Sequence, residues 1–229
     1  MPQIFSPSAN RLPLITLAGV GIVGLAVVLG AWYWMSPEYY EVGYSPEQPV
    51  PYSHRLHAGQ LGMDCRYCHS QVEQSPHANI PPTQTCMNCH SQVLTASERL
   101  LPIRESWATG QPVEWVNVHH MPDYARFPHN THLNVGGGLA VGCETCHGRV
   151  DQMEVVQVVK PLSMGWCLSC HRDPAPNLRP VAAVTEMGFD ERMREDEDAY
   201  ADYVAQNTSI IQSAEAAILP PQNCSACHY

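Results

Sequence analysis

Ten cysteines stand in five pairs of identical spacing, Cys65/Cys68, Cys86/Cys89, Cys143/Cys146, Cys167/Cys170 and Cys224/Cys227, with none left over. Each pair is followed at once by a histidine: His69, His90, His147, His171 and His228. Two thiols three positions apart are placed to form thioethers to the two vinyl groups of one porphyrin, and the adjoining imidazole then reaches the iron from one axial side. Cys-x-x-Cys also serves structural zinc, and an oxidising compartment would pair cysteines as disulfides. Neither use requires a histidine directly after every pair, so the pattern points to five covalently bound c-type haems.

A six-coordinate iron needs a ligand on its other face, and seven histidines lie outside the motifs: His54, His57, His77, His119, His120, His129 and His132. Four of them sit in an internal repeat, where Tyr52-Ser53-His54-Arg55-Leu56-His57 matches Phe127-Pro128-His129-Asn130-Thr131-His132. The offset is 75 for His54/His129, 78 for Cys65/Cys143 and 81 for Cys86/Cys167, a near-constant value that points to tandem duplication of a two-haem unit. Imidazoles three positions apart point in different directions, so each His-x-x-His serves two irons rather than clamping one. His54 and His57 are therefore expected to serve the first unit and His129 and His132 the second, with an exchange of one ligand between units left open.

The tail motif ending in His228 has no histidine shortly upstream. His119 and His120 are the spare imidazoles, with Met164, Met187 and Met193 as thioether rivals that would raise the iron's potential. Packing is the ordinary use of a methionine. His77, between Pro76 and the Pro81-Pro82 turn, reads as an exposed loop residue.

The elements that position these groups begin with Leu12 to Trp34, 23 residues without a charge. At 1.5 Å per residue that stretch crosses a hydrocarbon core of about 30 Å. Trp32, Tyr33 and Trp34 form an aromatic belt at its end, Arg11 precedes it, and Glu38 and Glu41 follow. This places the N-terminus in the cytoplasm and the rest on the periplasmic side of the cytoplasmic membrane, as a single-pass protein. A cleaved leader is the competing reading, but the apolar run exceeds a leader's and no small-residue cleavage site closes it.

Beyond the anchor, 3 Phe against 20 Pro in the whole chain leave little material for a conventional core. The expected fold is mainly irregular, with short α-helices carrying the motifs in multihaem cytochrome c repeats of the class III (c7-like) kind, plus the N-terminal transmembrane helix. The organisation reads as an anchor (1–36), a first two-haem unit (37–110), a second (111–180), and an acidic segment with the fifth haem site (181–229). Porphyrins would supply much of the buried apolar surface, coupling binding to folding. Residues 190–202 carry seven acids against two arginines and read as a solvated face, and residues 209–217 show a modest helical pattern.

The formal charge of −10, with Lys160 the single lysine, excludes nucleic-acid binding, which needs clustered cations. An acidic surface favours basic docking partners instead.

The chain resembles the pentahaem cytochrome c subunit of alternative complex III, a bacterial quinol:acceptor oxidoreductase. The likeness runs from the anchor to the tail. It is most specific in Val118-His119-His120-Met121-Pro122-Asp123-Tyr124, in Phe127-Pro128-His129 with His132, and in Val141-Gly142-Cys143. It continues through Cys146-His147-Gly148-Arg149-Val150-Asp151-Gln152-Met153 and Met164-Gly165-Trp166-Cys167-Leu168. The resemblance implies a subunit beside an iron–sulfur subunit and membrane-embedded quinol-binding subunits, relaying electrons to a mono-haem cytochrome c or cupredoxin acceptor. Here the histidine of the Val-His-x-x-Pro-Asp element is doubled, which leaves its ligand between His119 and His120, with His119 the better match. On this reading the chain is an electron wire with no catalytic residues of its own. The alternatives are a single-anchor multihaem quinol dehydrogenase, whose usual haem count is four, and a multihaem reductase of nitrogen or sulfur oxyanions, which needs a five-coordinate iron.

Overall fold

The structure, a computed structural model, describes residues 4–196, 198, 201–203, 205 and 220–228. Two compact units are resolved, Met1–Glu41 and Val42–Tyr229.

In the first unit, α1 (Leu12–Trp34) is a continuous helix, with Pro13 in its first turn, where a missing N–H costs nothing. None of its residues is buried, and it is long and apolar enough to cross a membrane. The short α2 (Pro37–Tyr40) follows, and Tyr39 packs against Tyr33 and Trp34.

The second unit has sparse secondary structure. Its helices are α3 (Cys65–Cys68), α4 (Thr83–His90), α5 (Leu101–Thr109), α6 (His129–His132), α7 (Cys143–His147), α8 (Met164–Arg172), α9 (Phe189–Glu195) and α10 (Cys224–Cys227). Among the described residues of this unit no helix is longer than nine residues. The strands β1 (Leu139–Val141) and β2 (Leu178–Pro180) pair antiparallel, with Ala140 opposite Arg179.

Local chemistry sets the ends of these elements. The Asp64 carboxylate caps α3 by accepting from the Arg66 N–H at 2.8 Å, and Ser163 caps α8 by accepting from Trp166 N–H at 3.3 Å. Gly110 ends α5 in the left-handed conformation, at φ 72°. Such short helices are marginal alone, so tertiary contacts must hold them.

The apolar core is small. Leu133, Ala140 and Val184 form its cluster, with Val72 and Val181 packed against it. Val72 belongs to the first expected two-haem unit and Leu133 to the second, so the two share one core. Among the described residues the largest fully buried side chain is charged, that of Arg179. Its guanidinium donates to Glu144 Oε1 at 3.0 Å, to Asp190 Oδ1 and to the Glu186 carbonyl at 3.1 Å, and it lies over the Phe189 ring at 4.6 Å. Glu144 in turn accepts from the backbone N–H groups of Gly188 and Asp190, holding the start of α9. The acidic stretch is thus not solvated throughout. Asp190 serves this buried arginine, which needs an anionic partner once removed from water, while Glu191 remains exposed and pairs with Arg149 at 2.9 Å. The helical pattern at 209–217 lies outside the described residues.

Candidate haem-binding sites

Each of the five Cys-x-x-Cys-His motifs coincides with a helical turn: α3, α7 and α10 are little more than the motif, while α4 and α8 carry it at their C-terminal ends. A helical turn puts positions i and i+3 on one face, so the two sulfurs of each motif can meet one edge of a flat ligand. None of the ten cysteines is disulfide-bonded.

Their surroundings are not uniform. Cys89 and Cys224 are exposed, whereas Cys65, Cys68, Cys86, Cys143, Cys146, Cys167, Cys170 and Cys227 are part-buried. Cys89 and Cys224 therefore depart from the other eight, although all ten share one spacing. For Cys89 the reason lies in how α4 packs: Thr83 Oγ1 holds it to Ser106 Oγ of α5 at 2.6 Å, and Cys89, six positions further on, lies on another face of the helix. Protein atoms do not enclose the Cys89 sulfur, so its cover would have to come from the porphyrin itself.

The histidines are oriented in a way that leaves one ring nitrogen open. Nδ1 lies against a backbone carbonyl in His57 (Ser53, 2.9 Å), His69 (Asn79, 2.7 Å), His90 (Val93, 3.0 Å), His129 (Pro76, 2.9 Å), His132 (Pro128, 2.9 Å) and His171 (Pro221, 2.7 Å). A carbonyl only accepts, so Nδ1 carries the proton and the Nε2 lone pair is free. That is the tautomer and the supporting bond of a metal-bound imidazole.

Burial favours the same neutral state. Desolvation pulls the His54 pKa down to about 4 and that of His147 to about 3, with further lowering of His147 by His119 and His129. Desolvation also lowers His119, His129 and His132. A protonated ring cannot ligate, so these surroundings suit metal binding.

The rings come in facing pairs. His57 and His90 have centres 6.2 Å apart, His132 and His171 also 6.2 Å, and His129 and His147 6.4 Å. Two imidazoles bound at about 2 Å on opposite sides of one metal ion stand roughly 6 Å apart, centre to centre. The donor set and its spacing therefore fit an iron held between a motif histidine and a distant one.

The repeat seen in the sequence has the same local geometry twice. Tyr52 stacks on His57 at 4.5 Å and meets His54 edge-on at 4.8 Å; Phe127 stacks on His132 at 4.4 Å and meets His129 edge-on at 4.9 Å. An aromatic residue ahead of each His-x-x-His thus fixes both ring planes, and its role goes beyond the match that the sequence alone displays.

The remaining expected ligands fall in different places. His54 is part-buried, and its Nδ1 has no partner. His119 lies against His147, with Nε2 3.3 Å from that residue's Nδ1 and ring centres 4.5 Å apart. It is therefore brought to the third motif and not to the tail, where His228 has Tyr124 as its ring neighbour at 5.8 Å. His120 and His77 are exposed. Met164 opens α8 and is 65% exposed, and Met187 lines a hollow beside Cys65. The tail motif is docked by the backbone: Arg126 N–H donates to the Cys227 carbonyl at 2.7 Å, and Ala125 bridges to His228.

Large apolar side chains stand exposed beside the motifs, among them Leu61, Ile80, Leu94 and Met164. Such an apolar fringe is what a porphyrin face would cover.

The sequence reading missed the buried carboxylate inside the third motif. Glu144, between Cys143 and Cys146, and its partner Arg179 had one legible signal: an acid set between two attachment cysteines, and an arginine in a short apolar stretch.

No family model matches the chain. A stretch of 127 residues is 36% identical to the multihaem cytochrome c subunit of the menaquinone reductase of Nitratidesulfovibrio vulgaris (strain Hildenborough), covering 55% of this chain and 56% of that protein. The chain spans about half the length of the curated relative it matches.

Proposed function

We propose that this chain is a pentahaem c-type cytochrome, held in the cytoplasmic membrane by α1 with its haem-bearing part on the periplasmic side. It relays electrons between membrane-embedded quinone-binding subunits and a periplasmic acceptor. The observation that carries the reading is the pairing of His57 with His90 and of His132 with His171, a distant imidazole opposite one on a Cys-x-x-Cys-His turn, with all four Nδ1 atoms tied to carbonyls. Likeness to a multihaem cytochrome c subunit supports it independently.

A c-type haem supplies a one-electron iron couple. This chain's own residues attach the group through ten cysteines and offer neutral imidazoles on both faces. They set the basicity of those imidazoles through the Nδ1–H bonds, and burial tunes the surroundings. His69, His90, His147, His171 and His228 are the proximal ligands. His54, His57, His129 and His132 are distal ones; His119, whose Nε2 lies 3.3 Å from His147 Nδ1, would have to turn from that contact to serve as a further one.

The finer reading is the haem subunit of an alternative complex III, taking electrons from quinol by way of an iron–sulfur subunit and passing them to a mono-haem cytochrome c or cupredoxin. The runs Val118 to Tyr124 and Cys146 to Met153 support it. Likeness to a menaquinone reductase subunit favours a second reading in which electrons flow towards the quinone.

Purification in mild detergent, with a haem count, intact mass and identification of co-purifying chains, tests both. Five covalent haems are expected, with quinol-dependent reduction of a soluble acceptor on the first reading and quinone reduction by a reduced donor on the second. Denatured protein at the bare polypeptide mass of 25.4 kDa would overturn the haem reading altogether.

A further inference from the structure

Contacts between the motifs do not follow their order along the chain. The first and second motifs touch through their inner residues, where Asn88 Nδ2 donates to Tyr67 Oη at 3.1 Å. The first and third are tied by two neighbouring residues: Thr185 Oγ1 donates to Asp64 Oδ2 at 3.0 Å, and Cys143 N–H donates to the Val184 carbonyl at 3.1 Å. His129 reaches across as well, its Nδ1 lying 2.9 Å from the carbonyl of Pro76, in the loop that follows the first motif.

The third and fourth share α6, whose His129 faces His147 while His132 faces His171. The fourth and fifth join where His171 Nδ1–H donates to the Pro221 carbonyl at 2.7 Å and Gln222 Nε2 donates back to the His171 carbonyl at 3.3 Å. Among the described residues, no hydrogen bond links residues 86–90 to the third, fourth or fifth motif.

From these four junctions we infer that the motifs form a single file in the order second, first, third, fourth, fifth, with Cys86–His90 and Cys224–His228 at its ends, and that this is the route electrons take. The exposed cysteines agree with it, since Cys89 and Cys224 belong to the two end motifs and the cysteines of the three interior motifs are all part-buried. The two duplicated units meet through their first motifs, head to head, as a two-fold arrangement does and a simple translation does not. A tandem repeat read from sequence alone would place the second motif beside the third. Here the second motif is an end, reachable from outside the file, and the first is interior. With haem bound, each motif would supply a one-electron iron couple, and an electron would pass from the reduced centre to its oxidised neighbour with no bond made or broken. The two electrons of a quinol therefore pass singly to two one-electron acceptors.

The inference rests on the proposed haem content, and the test separates the two. Iron positions in the purified, detergent-solubilised holoprotein are located by anomalous scattering or in a density map and assigned by their thioether cysteines. Five irons are expected, with the iron at Cys65/Cys68 neighbouring both the one at Cys86/Cys89 and the one at Cys143/Cys146. The iron at Cys86/Cys89 should have one neighbour. Five irons with the Cys86/Cys89 centre next to the Cys143/Cys146 centre would overturn the order and leave the haem reading standing. Absence of covalently held iron would overturn both.

Discussion

The imidazole of His57 faces that of His90 across 6.2 Å, although 33 positions separate them in the chain, and His132 faces His171 at the same separation. Equivalent residues of the two repeats thus make equivalent pairs. In both, the more C-terminal histidine of the His-x-x-His element meets the histidine of the more C-terminal motif.

From that pairing, His57→Ala should convert one haem of the five from low-spin to high-spin and leave the other four unchanged. Electron paramagnetic resonance and the reduced visible spectrum of the purified variant read this directly. His57→Met should keep that haem low-spin and raise its potential, since a thioether in place of imidazole favours the reduced iron. A potentiometric titration unaltered in both variants would refute the assignment.

The Arg179 guanidinium, with Glu144 and Asp190, holds the third motif against the start of α9. Breaking a buried pair by removing one partner leaves the other charge uncompensated. Arg179→Leu should therefore cost about 3–5 kcal/mol in denaturant melts of the holoprotein. Adding Glu144→Gln to that variant should recover part of the loss. Gly142→Ala should act in the same direction as Arg179→Leu, because a Cβ at position 142 would collide with the guanidinium. A wild-type melting curve for Arg179→Leu would show that the knot carries no stability.

Asp64 caps the first motif's helix and is held below its ordinary value, from 3.8 to about 2, chiefly by hydrogen bonding to Arg66, with a bond from Thr185 adding to it. A carboxylate whose folded pKa is depressed contributes stability that is present above its unfolded pKa and is lost as pH falls through the folded one. The contribution should thus be full near neutral pH and fade between about pH 4 and pH 2. Asp64→Asn should lower stability at neutral pH modestly, the site being partly solvated, and flatten the acid limb of the curve. Thermal melts at a series of pH values check both slopes.

Much of the candidate site was legible in the residues themselves. The two cysteines and the histidine of each motif lie within five consecutive positions, so their geometry is local and the spacing displays it. The apolar span of α1 is legible for the same reason, as its exposure depends on composition over one continuous helix. The aromatic-x-His-x-x-His repeat was visible too, and its ring geometry repeats in the structure because neighbours along the backbone set it.

Other features were hidden because they depend on which segments meet. His119 read as a spare imidazole for the tail motif, yet the loop carrying it lies against His147. Spacing makes Cys89 the equal of Cys65 or Cys143, yet the face that α4 turns to α5 leaves Cys89 exposed, while Cys65 and Cys143 on other helices are part-buried. Residues 190–202 read as solvated from their charge. Nothing in a run of acids reveals that Arg179, a short distance upstream, would be buried opposite Ala140 and draw Asp190 inward.

The sequence by itself displayed the five Cys-x-x-Cys-His turns and a helix long and apolar enough to cross a membrane, since covalent spacing and hydropathy act over a few residues or a single helix. Tertiary structure alone decided which histidines face each other and that the first and third motifs are the ones that touch. Those relations arise from packing between segments tens of residues apart, and no local periodicity encodes them.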